Sequence, residues 1–203
     1  MPSAANKYGR KQLYIGLCVL AGSLICWLLG LEGWLLFDRE LIGDGQWYRL
    51  VTGHLAHFSD MHLWANVAVF CVALLFCYRL GDHHFGWVVL LSMVVITAML
   101  WFFQSKLQVY GGLSGVVSAL VGWLAVCLVR LPHTVLVGWL LLSSLIIKIG
   151  LELFLESARS PFLPEGVDSV PAAHAAGLIA AVIYFFGLWV CRRVSIPISV
   201  DSP

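Results

Sequence analysis

Long apolar runs alternate with short polar segments along this 203-residue chain. Each run is close to the roughly 17–25 residues that a helix needs to cross the hydrocarbon core of a bilayer. The few charged residues fall mainly in the gaps between the runs. The pattern predicts an all-α membrane protein with a single membrane domain, residues 1–203. Its six predicted spans cover about 13–37, 62–79, 86–103, 112–129, 134–153 and 172–190.

The composition supports this class and excludes others. Hydrophobic residues make up 61% of the chain and charged residues 11%, whereas soluble domains carry about 25% charged residues. A net charge of +1 provides no basic face for nucleic acid. The six cysteines lie in or beside apolar runs without a C-x-x-C pair, which is typical of small buried side chains. The first run lacks a cleavage site, so we expect it to remain as a helix.

The distribution of basic residues predicts the orientation. Six spans place both termini on one side of the membrane. That side carries Lys7, Arg10, Lys11, Arg79, Arg130, Arg192 and Arg193. By the positive-inside rule we expect both termini to be cytoplasmic. The second, fourth and sixth spans then begin at the outer surface, where His62, Ser114 and His174 lie in or near their first turns.

A serine stands between glycines at the head of the fourth span, in Gly112-Leu-Ser114-Gly115. Gly112 and Gly115 leave space on both sides of its hydroxyl, which is the setting of a nucleophile held in a tight turn. The sequence also allows a packing interpretation, because Gly115, Ala119 and Gly122 form a small face on which another helix can lie. The first interpretation requires a base from a neighbouring helix.

The sixth span offers such a base in His174. Its neighbours Ala173, Gly177 and Ala181 are small, so this helix can approach the small face of the fourth span. A neutral imidazole about 2.6–3.2 Å from a hydroxyl can take its proton and later return it to a leaving group. The alternative is a buried histidine satisfied by a backbone carbonyl. The predicted span of His174 contains no carboxylate, so we expect a Ser–His dyad rather than a triad.

Two polar residues of the second span share one helix face. His62 and Asn66 are four residues apart, and both side chains can donate hydrogen bonds. With the backbone N–H of Ser114 they could surround the oxygen that becomes negative when a peptide carbonyl is attacked. Hydrogen bonds between helices are the alternative role for such residues in a bilayer.

Three segments at the starts of these spans together resemble the rhomboid intramembrane serine proteases. The segments are His54-Leu-Ala-His57-Phe-Ser-Asp-Met-His62-Leu-Trp-Ala-Asn66, Gly112-Leu-Ser114-Gly115 and Ala173-His174-Ala-Ala-Gly177. The resemblance covers about residues 47–181. It implies that Ser114 is the nucleophile and His174 the general base of a serine endopeptidase that needs no metal or cofactor.

The same resemblance assigns supporting roles to other residues. Three are implied to line the oxyanion hole and its surroundings, namely His62, Asn66 and Gly112. Three are implied to be structural near the site, namely His57, Gly115 and Gly177. Trp47 and Arg49 are implied to begin the re-entrant fold of the first loop.

One residue departs from the pattern of the family, and one pair of charged residues resembles a particular branch of it. Many bacterial rhomboids carry an aromatic residue one turn after the serine, where it stacks on the base, but this chain has Ser118. We therefore expect His174 to be positioned differently or held by a hydrogen bond. The compact chain and the pair Lys148 and Glu152, ahead of a long acidic loop, resemble the rhombosortase branch.

The rhombosortase resemblance implies partners and a location. The substrates would be transmembrane proteins bearing a C-terminal anchor that contains Gly-Gly, cleaved near the outer face of the membrane. The protein would be a multi-pass protein of a bacterial inner membrane, in contact with the lipid bilayer, with its active site opening to the periplasmic side. A general rhomboid protease of single-span proteins and an inactive relative that binds clients are the alternatives.

Two further interpretations concern the remaining ionisable residues. Lys148 and Glu152 are spaced to pair on one helix face, and we expect them to shape a lateral opening between the second and fifth spans.

A zinc site would have to use His54, His57 and His62, with or without Asp60, but their spacing matches no helical H-E-x-x-H motif. An aspartyl intramembrane protease would need two carboxylates inside the bilayer, and the spans provide only Glu152.

Overall fold

The computed structural model describes residues 4–154 and 162–194, and of 4–10 and 192–194 only the backbone. The described chain is mostly helical. Its helices are α1 (Ala4–Leu28), α2 (Glu32–Leu35), α3 (Arg39–Gly43), α4 (Arg49–Thr52), α5 (Asp60–Arg79), α6 (Phe85–Phe103), α7 (Ser114–Val129), α8 (Val135–Phe154) and α9 (Pro171–Val194). Two short strands, β1 (Phe37–Asp38) and β2 (Val109–Tyr110), pair antiparallel.

Five of these helices, α1, α5, α6, α8 and α9, are long and apolar enough to cross a membrane. The sixth apolar helix, α7, has 16 residues and rises about 24 Å at 1.5 Å per residue. Of its 16 residues, 11 are buried, because α5, α6, α8 and α9 all pack against it. The protein is therefore a multi-pass helical membrane protein built around a short central helix.

The helices agree with the predicted runs except near the N-terminus. The predicted first span, 13–37, is wrong as a single helix, because α1 ends at Leu28. Gly30 adopts a φ of 63°, a left-handed conformation that commonly ends helices. The chain then turns through α2 into β1. Part of the predicted acidic loop, 155–161, and the tail after Val194 lie outside the described residues.

Two arginines hold the segment between α1 and α5 in place. The Arg39 guanidinium donates to the carbonyl oxygens of Leu107 at 3.0 Å and Trp101 at 3.1 Å, and thereby caps the end of α6. Arg49 is 3% exposed and donates to the carbonyl oxygen of Leu36 at 2.8 Å. These bonds satisfy carbonyls that a helix end or loop would otherwise leave without partners. They fix the first loop beside β2, the segment that leads into α7.

The predicted close packing of α7 and α9 is confirmed. A Cβ atom at Gly177 would run into the carbonyl oxygen of Gly115, and one at Gly115 would lie 2.9 Å from the carbonyl oxygen of Ala173. Further along α7, a Cβ at Gly122 would lie 3.7 Å from Cβ of Ala181 on α9. Small residues on both helices therefore allow their backbones to touch.

Candidate active site

A cavity of about 860 Å³ opens at the end of the bundle where α5, α7 and α9 begin and α8 ends. We call this the site end. The four polar residues predicted to form the site, Ser114, His174, His62 and Asn66, all line this cavity. Ser118, Lys148 and Glu152 line it as well. The fold thus gathers on one cavity residues that come from four different helices.

Ser114 is the first residue of α7 and follows a turn that the surrounding groups restrain. Gly112 has a φ of 118°, and its N–H donates to the carbonyl oxygen of Gly53 at 3.1 Å. The buried Tyr110 hydroxyl donates to the carbonyl oxygen of Gly112 at 3.1 Å. A Cβ at Gly112 would lie 2.5 Å from His62 Cε1. Glycine is therefore required here both by the backbone conformation and by the close approach of His62.

His174 lies in the first turn of α9 and is 6% exposed. Its Nδ1 atom lies 2.6 Å from Oε2 of Glu152, a residue of α8. The sequence predicts a Ser–His dyad because the span of His174 contains no carboxylate, but the neighbouring helix α8 brings one to the His174 ring. Among the described residues, no hydrogen bond joins Ser114 Oγ to the His174 ring. In serine hydrolases without bound substrate such bonds are often long, and they tighten when the substrate binds.

His62 and Asn66 occupy one face of α5, as predicted, and are 7% and 6% exposed. The Ser59 hydroxyl caps α5 by accepting from the His62 N–H at 3.1 Å, and the Phe58 ring stacks on His62 with centroids 6.2 Å apart. Asn66 Nδ2 is buried and has no hydrogen-bond partner among the described residues. A buried donor without a partner is costly unless a ligand accepts from it.

His57 joins the first loop to the turn before Ser114. Its Nδ1–H donates to the carbonyl oxygen of Leu55 at 3.0 Å, so its Nε2 can accept from the Leu113 N–H at 3.4 Å. Burial lowers the pKa of His57 from 6.5 to about 3, and the nearby His62 adds to this shift. His57 is therefore neutral at pH 7, which suits its two opposite hydrogen-bonding roles.

The first-loop residues do not assemble a metal site within the described ranges. No group of three or more His, Cys, Asp or Glu side chains that could hold a metal ion occurs there. His54 is instead hydrogen bonded through Nε2 to Thr97 Oγ1 at 3.0 Å. Trp47 is 71% exposed beside the buried Arg49.

Two residues of the site were not predicted in their observed roles. Glu152 contacts the base, and its one signal in the sequence is that it is a carboxylate in a largely apolar helix, four residues after Lys148. Tyr110 supports the turn at Gly112, and nothing in its sequence context distinguishes it from other aromatic residues near helix ends. The Glu152 contact joins two separate helices, and the Tyr110 contact forms within a sharp turn. Residue spacing alone therefore reveals neither of them.

The fold and the cavity define a class of protein, namely a multi-pass helical membrane protein with Ser and His side chains at a buried polar cavity. The family model described as Rhomboid domain matches residues 44–191. The chain therefore belongs to the rhomboid family, whose members are in general intramembrane serine proteases acting on transmembrane proteins. No curated protein sequence matches the chain.

Proposed function

We propose that this protein is an intramembrane serine endopeptidase in which Ser114 is the nucleophile and His174 the general base. One observation carries the proposal: Ser114 and His174 line one cavity from the first turns of two helices whose backbones touch. Glycine contacts at this interface limit how far the two side chains can move apart. A hydroxyl and an imidazole held in this way are the elements of nucleophilic catalysis.

The reaction would proceed by acyl transfer. His174 Nε2 takes the proton from Ser114 Oγ as Oγ bonds to the substrate carbonyl carbon and the carbonyl oxygen becomes negative. When the intermediate collapses, the C–N bond breaks and the Nε2 proton passes to the leaving amine. Water then attacks the acyl-enzyme, gives its proton to Nε2, and releases the second product as the proton returns to Ser114 Oγ.

Three donors are suited to the negative oxygen of this intermediate. The Asn66 side-chain amide is buried without a partner among the described residues, and His62 lines the cavity beside it. Ser114 is the first residue of α7, so its backbone N–H has no acceptor within the helix. Donors that are fixed before the reaction stabilise a developing oxyanion strongly in a site shielded from water.

The substrate segment must be extended to reach Ser114. A peptide bond inside a helix is not accessible to a nucleophile, so the client helix has to unwind locally, which glycine favours. We therefore include in the proposal the finer assignment to rhombosortases, with C-terminal Gly-Gly anchors as substrates. It rests on the sequence resemblance and on the pair Lys148 and Glu152 at the cavity.

The orientation belongs to the same proposal. With α7 counted as a sixth span, both termini lie in the cytoplasm and the site end faces the periplasmic side of a bacterial inner membrane. Accessibility of single cysteines introduced at Ser59 and at Gly81 to a membrane-impermeant maleimide, in a background lacking the native cysteines, tests this. Labelling of the Ser59 position alone in intact cells is expected, and labelling of the Gly81 position alone would reverse the orientation.

The function is tested with two reporters that differ only in the anchor. One ends in a Gly-Gly segment, an apolar helix and a basic tail, and the other carries a generic single-span rhomboid substrate. Selective cleavage of the first that disappears with Ser114→Ala is the expected result. Cleavage of both reporters would indicate a general rhomboid protease, and cleavage of neither would indicate an inactive, client-binding relative.

A further inference from the structure

The last turn of α8 brings a carboxylate to His174. Glu152 Oε2 lies 2.6 Å from His174 Nδ1, and Glu152 Oε1 lies 2.7 Å from Lys148 Nζ. The Glu152 side chain is 15% exposed and the His174 side chain 8% exposed, so the contact is largely shielded from water. Both carboxylate oxygens are therefore engaged, one by the imidazole and the other by the ammonium group.

This contact determines which ring nitrogen of neutral His174 carries the proton. An ionised carboxylate only accepts hydrogen bonds, so Nδ1 must be the N–H that donates to Glu152. The lone pair is then on Nε2, the nitrogen that has to accept the Ser114 proton. Lys148 Nζ lies 3.2 Å from Nδ1, but an ammonium group only donates, so its hydrogen bond goes to Glu152 Oε1.

Ser118 does not provide an alternative support for His174. It stands one turn after Ser114, and its hydroxyl donates to the carbonyl oxygen of Ser114 at 2.9 Å. Its proton is therefore used within α7. A serine side chain also has no ring that could stack on an imidazole. The hydrogen bond to Glu152 thus supplies a restraint on the His174 ring that Ser118 does not.

We propose that Glu152 is a positioning residue for His174, so that the catalytic unit is a Ser114–His174–Glu152 triad braced by Lys148. This inference rests on the proposed protease function. Glu152 remains ionised and the Nδ1 proton remains on the ring throughout the reaction. When Nε2 takes the Ser114 proton, the positive imidazolium faces the carboxylate, which stabilises it. The same arrangement serves unrelated serine hydrolases, in which a carboxylate fixes the tautomer of the base.

The rival explanation is a structural ion pair between Lys148 and Glu152. Such a pair, four residues apart on one helix, forms without any role for a histidine. It leaves the Glu152 Oε2 contact to His174 unexplained, since the Lys148 bond uses the other oxygen. The two explanations predict different responses to Glu152→Gln, which keeps the size of the side chain but removes its charge.

The test uses the full-length protein in detergent or liposomes with a cleavable reporter. Glu152→Gln is expected to lower kcat by on the order of 10²-fold or more, with KM within about twofold. The loss is expected to be smaller than the ~10⁴-fold effect of the corresponding change in a fully buried triad, because Glu152 is partly exposed. Glu152→Asp is expected to recover part of the lost rate. Glu165→Gln, the same change at an exposed loop residue, is the matched control and should leave kcat unchanged.

A second readout separates positioning from folding. Histidine labelled with ¹⁵N is expected to show the Nδ1–H form of His174 in the parent protein and a mixture of tautomers in Glu152→Gln. Thermal unfolding of each variant reports whether it is folded. If Glu152→Gln does not fold, the ¹⁵N histidine spectrum is recorded on Glu152→Asp instead. The Nδ1–H form of His174 is expected in that variant.

Two outcomes would overturn the proposal, and they are distinguishable from failure of the protease assignment. A parent enzyme with Ser114-dependent cleavage whose kcat survives Glu152→Gln within about twofold refutes the triad and leaves the protease standing. An unchanged His174 tautomer in that variant has the same meaning. A folded parent with no Ser114-dependent cleavage of any reporter refutes both proposals together.

Discussion

The site ends of α9 and α8 contribute to the same cavity but are held very differently. In the first turns of α9, Ala173 and Ala176 are buried and the backbone touches α7 near Gly115. In the last turn of α8, Leu153 and Phe154 are exposed to the surroundings. Three residues of α8 are buried, compared with 11 of α7. Packing therefore fixes α9, whereas polar contacts hold the end of α8.

This difference separates two ways of building a site. Backbone contact between α7 and α9 positions Ser114 and His174 with little freedom, because a close-packed interface resists small displacements. Glu152 is placed on the more loosely packed helix and is bound through Lys148 and His174. We expect substitutions to have large effects at the first interface and small effects at the exposed end of α8, except at the two charged residues.

The largest effect is expected from Gly177→Ala. Its Cβ would meet the carbonyl oxygen of Gly115, so α9 has to move away from α7. Overpacking of this kind costs about 1–3 kcal/mol of unfolding free energy, and a displacement of about 1 Å at a catalytic group can lower the rate about 10²-fold. Unfolding and cleavage assays on the purified protein measure both quantities.

Gly187→Ala is the matched control on the same helix, since nothing lies within 4 Å of a Cβ at that position. It should cleave like the parent. Equal stability and activity in Gly177→Ala and the parent would show that the contact between α7 and α9 does not position the site.

The next effect concerns the turn before Ser114. Gly112→Ala places a Cβ 2.5 Å from the His62 ring and forces alanine to a φ of 118°. The backbone strain alone costs about 1–3 kcal/mol, and displacement of His62 should lower kcat as well. Gly45→Ala, with a φ of 99° and open space around it, isolates the strain. If the two variants lose the same activity, the contact between a Cβ at position 112 and His62 does not contribute to the loss.

A smaller effect, a loss of unfolding free energy, is expected at acid pH. Because burial lowers the pKa of His57 to about 3 from 6.5, the unfolded chain binds a proton below pH 6.5 that the folded protein does not. Stability is therefore complete above pH 6.5 and is lost as pH falls towards 3. Between pH 7 and pH 5 this single group should remove about 2 kcal/mol, at 1.36 kcal/mol per pH unit.

Unfolding free energies measured at pH 7, 6 and 5 check this prediction. His57→Gln keeps an acceptor for the Leu113 N–H but cannot be protonated, so its stability should change less over this range. A parent protein whose stability is flat between pH 7 and pH 5 would contradict a neutral, buried His57.

The smallest effect is expected at the exposed end of α8. A Cβ atom at Gly150 would have no other group within 4 Å, so Gly150→Ala meets no obstacle. Alanine favours helix over glycine by about 1 kcal/mol, and the variant should be as stable as the parent or slightly more so. Reduced cleavage with unchanged stability would show that α8 has to bend at this position during the reaction.

The sequence allowed some of this structure to be predicted because the relevant signals are local. Small residues at Gly115 and Gly177 indicated close packing, and polar residues at the starts of apolar runs indicated where the site would assemble. The sequence does not predict the end of α1 at Leu28, because the apolar composition continues past Gly30. The strands β1 and β2 are too short to show a pattern.

The sequence also does not predict the contact between Glu152 and His174, for a different reason. The two residues are 22 positions apart on separate helices, and their contact depends on how each helix is rotated and tilted. Spacing within one helix shows which residues share a face, but it does not show what that face meets. For that reason the sequence predicts a pair between Glu152 and Lys148, its neighbour on the same helix, and no contact with His174.

The most direct test of the nucleophile assignment is to map the adduct that a fluorophosphonate forms with the purified protein. We predict that mass spectrometry of the labelled protein finds the phosphonyl group on Ser114, that Ser118→Ala is labelled like the parent, and that His174→Ala is labelled far more slowly. An adduct on Ser118 or another serine, or equal labelling of Ser114→Ala and the parent, would contradict the assignment of Ser114 as the nucleophile.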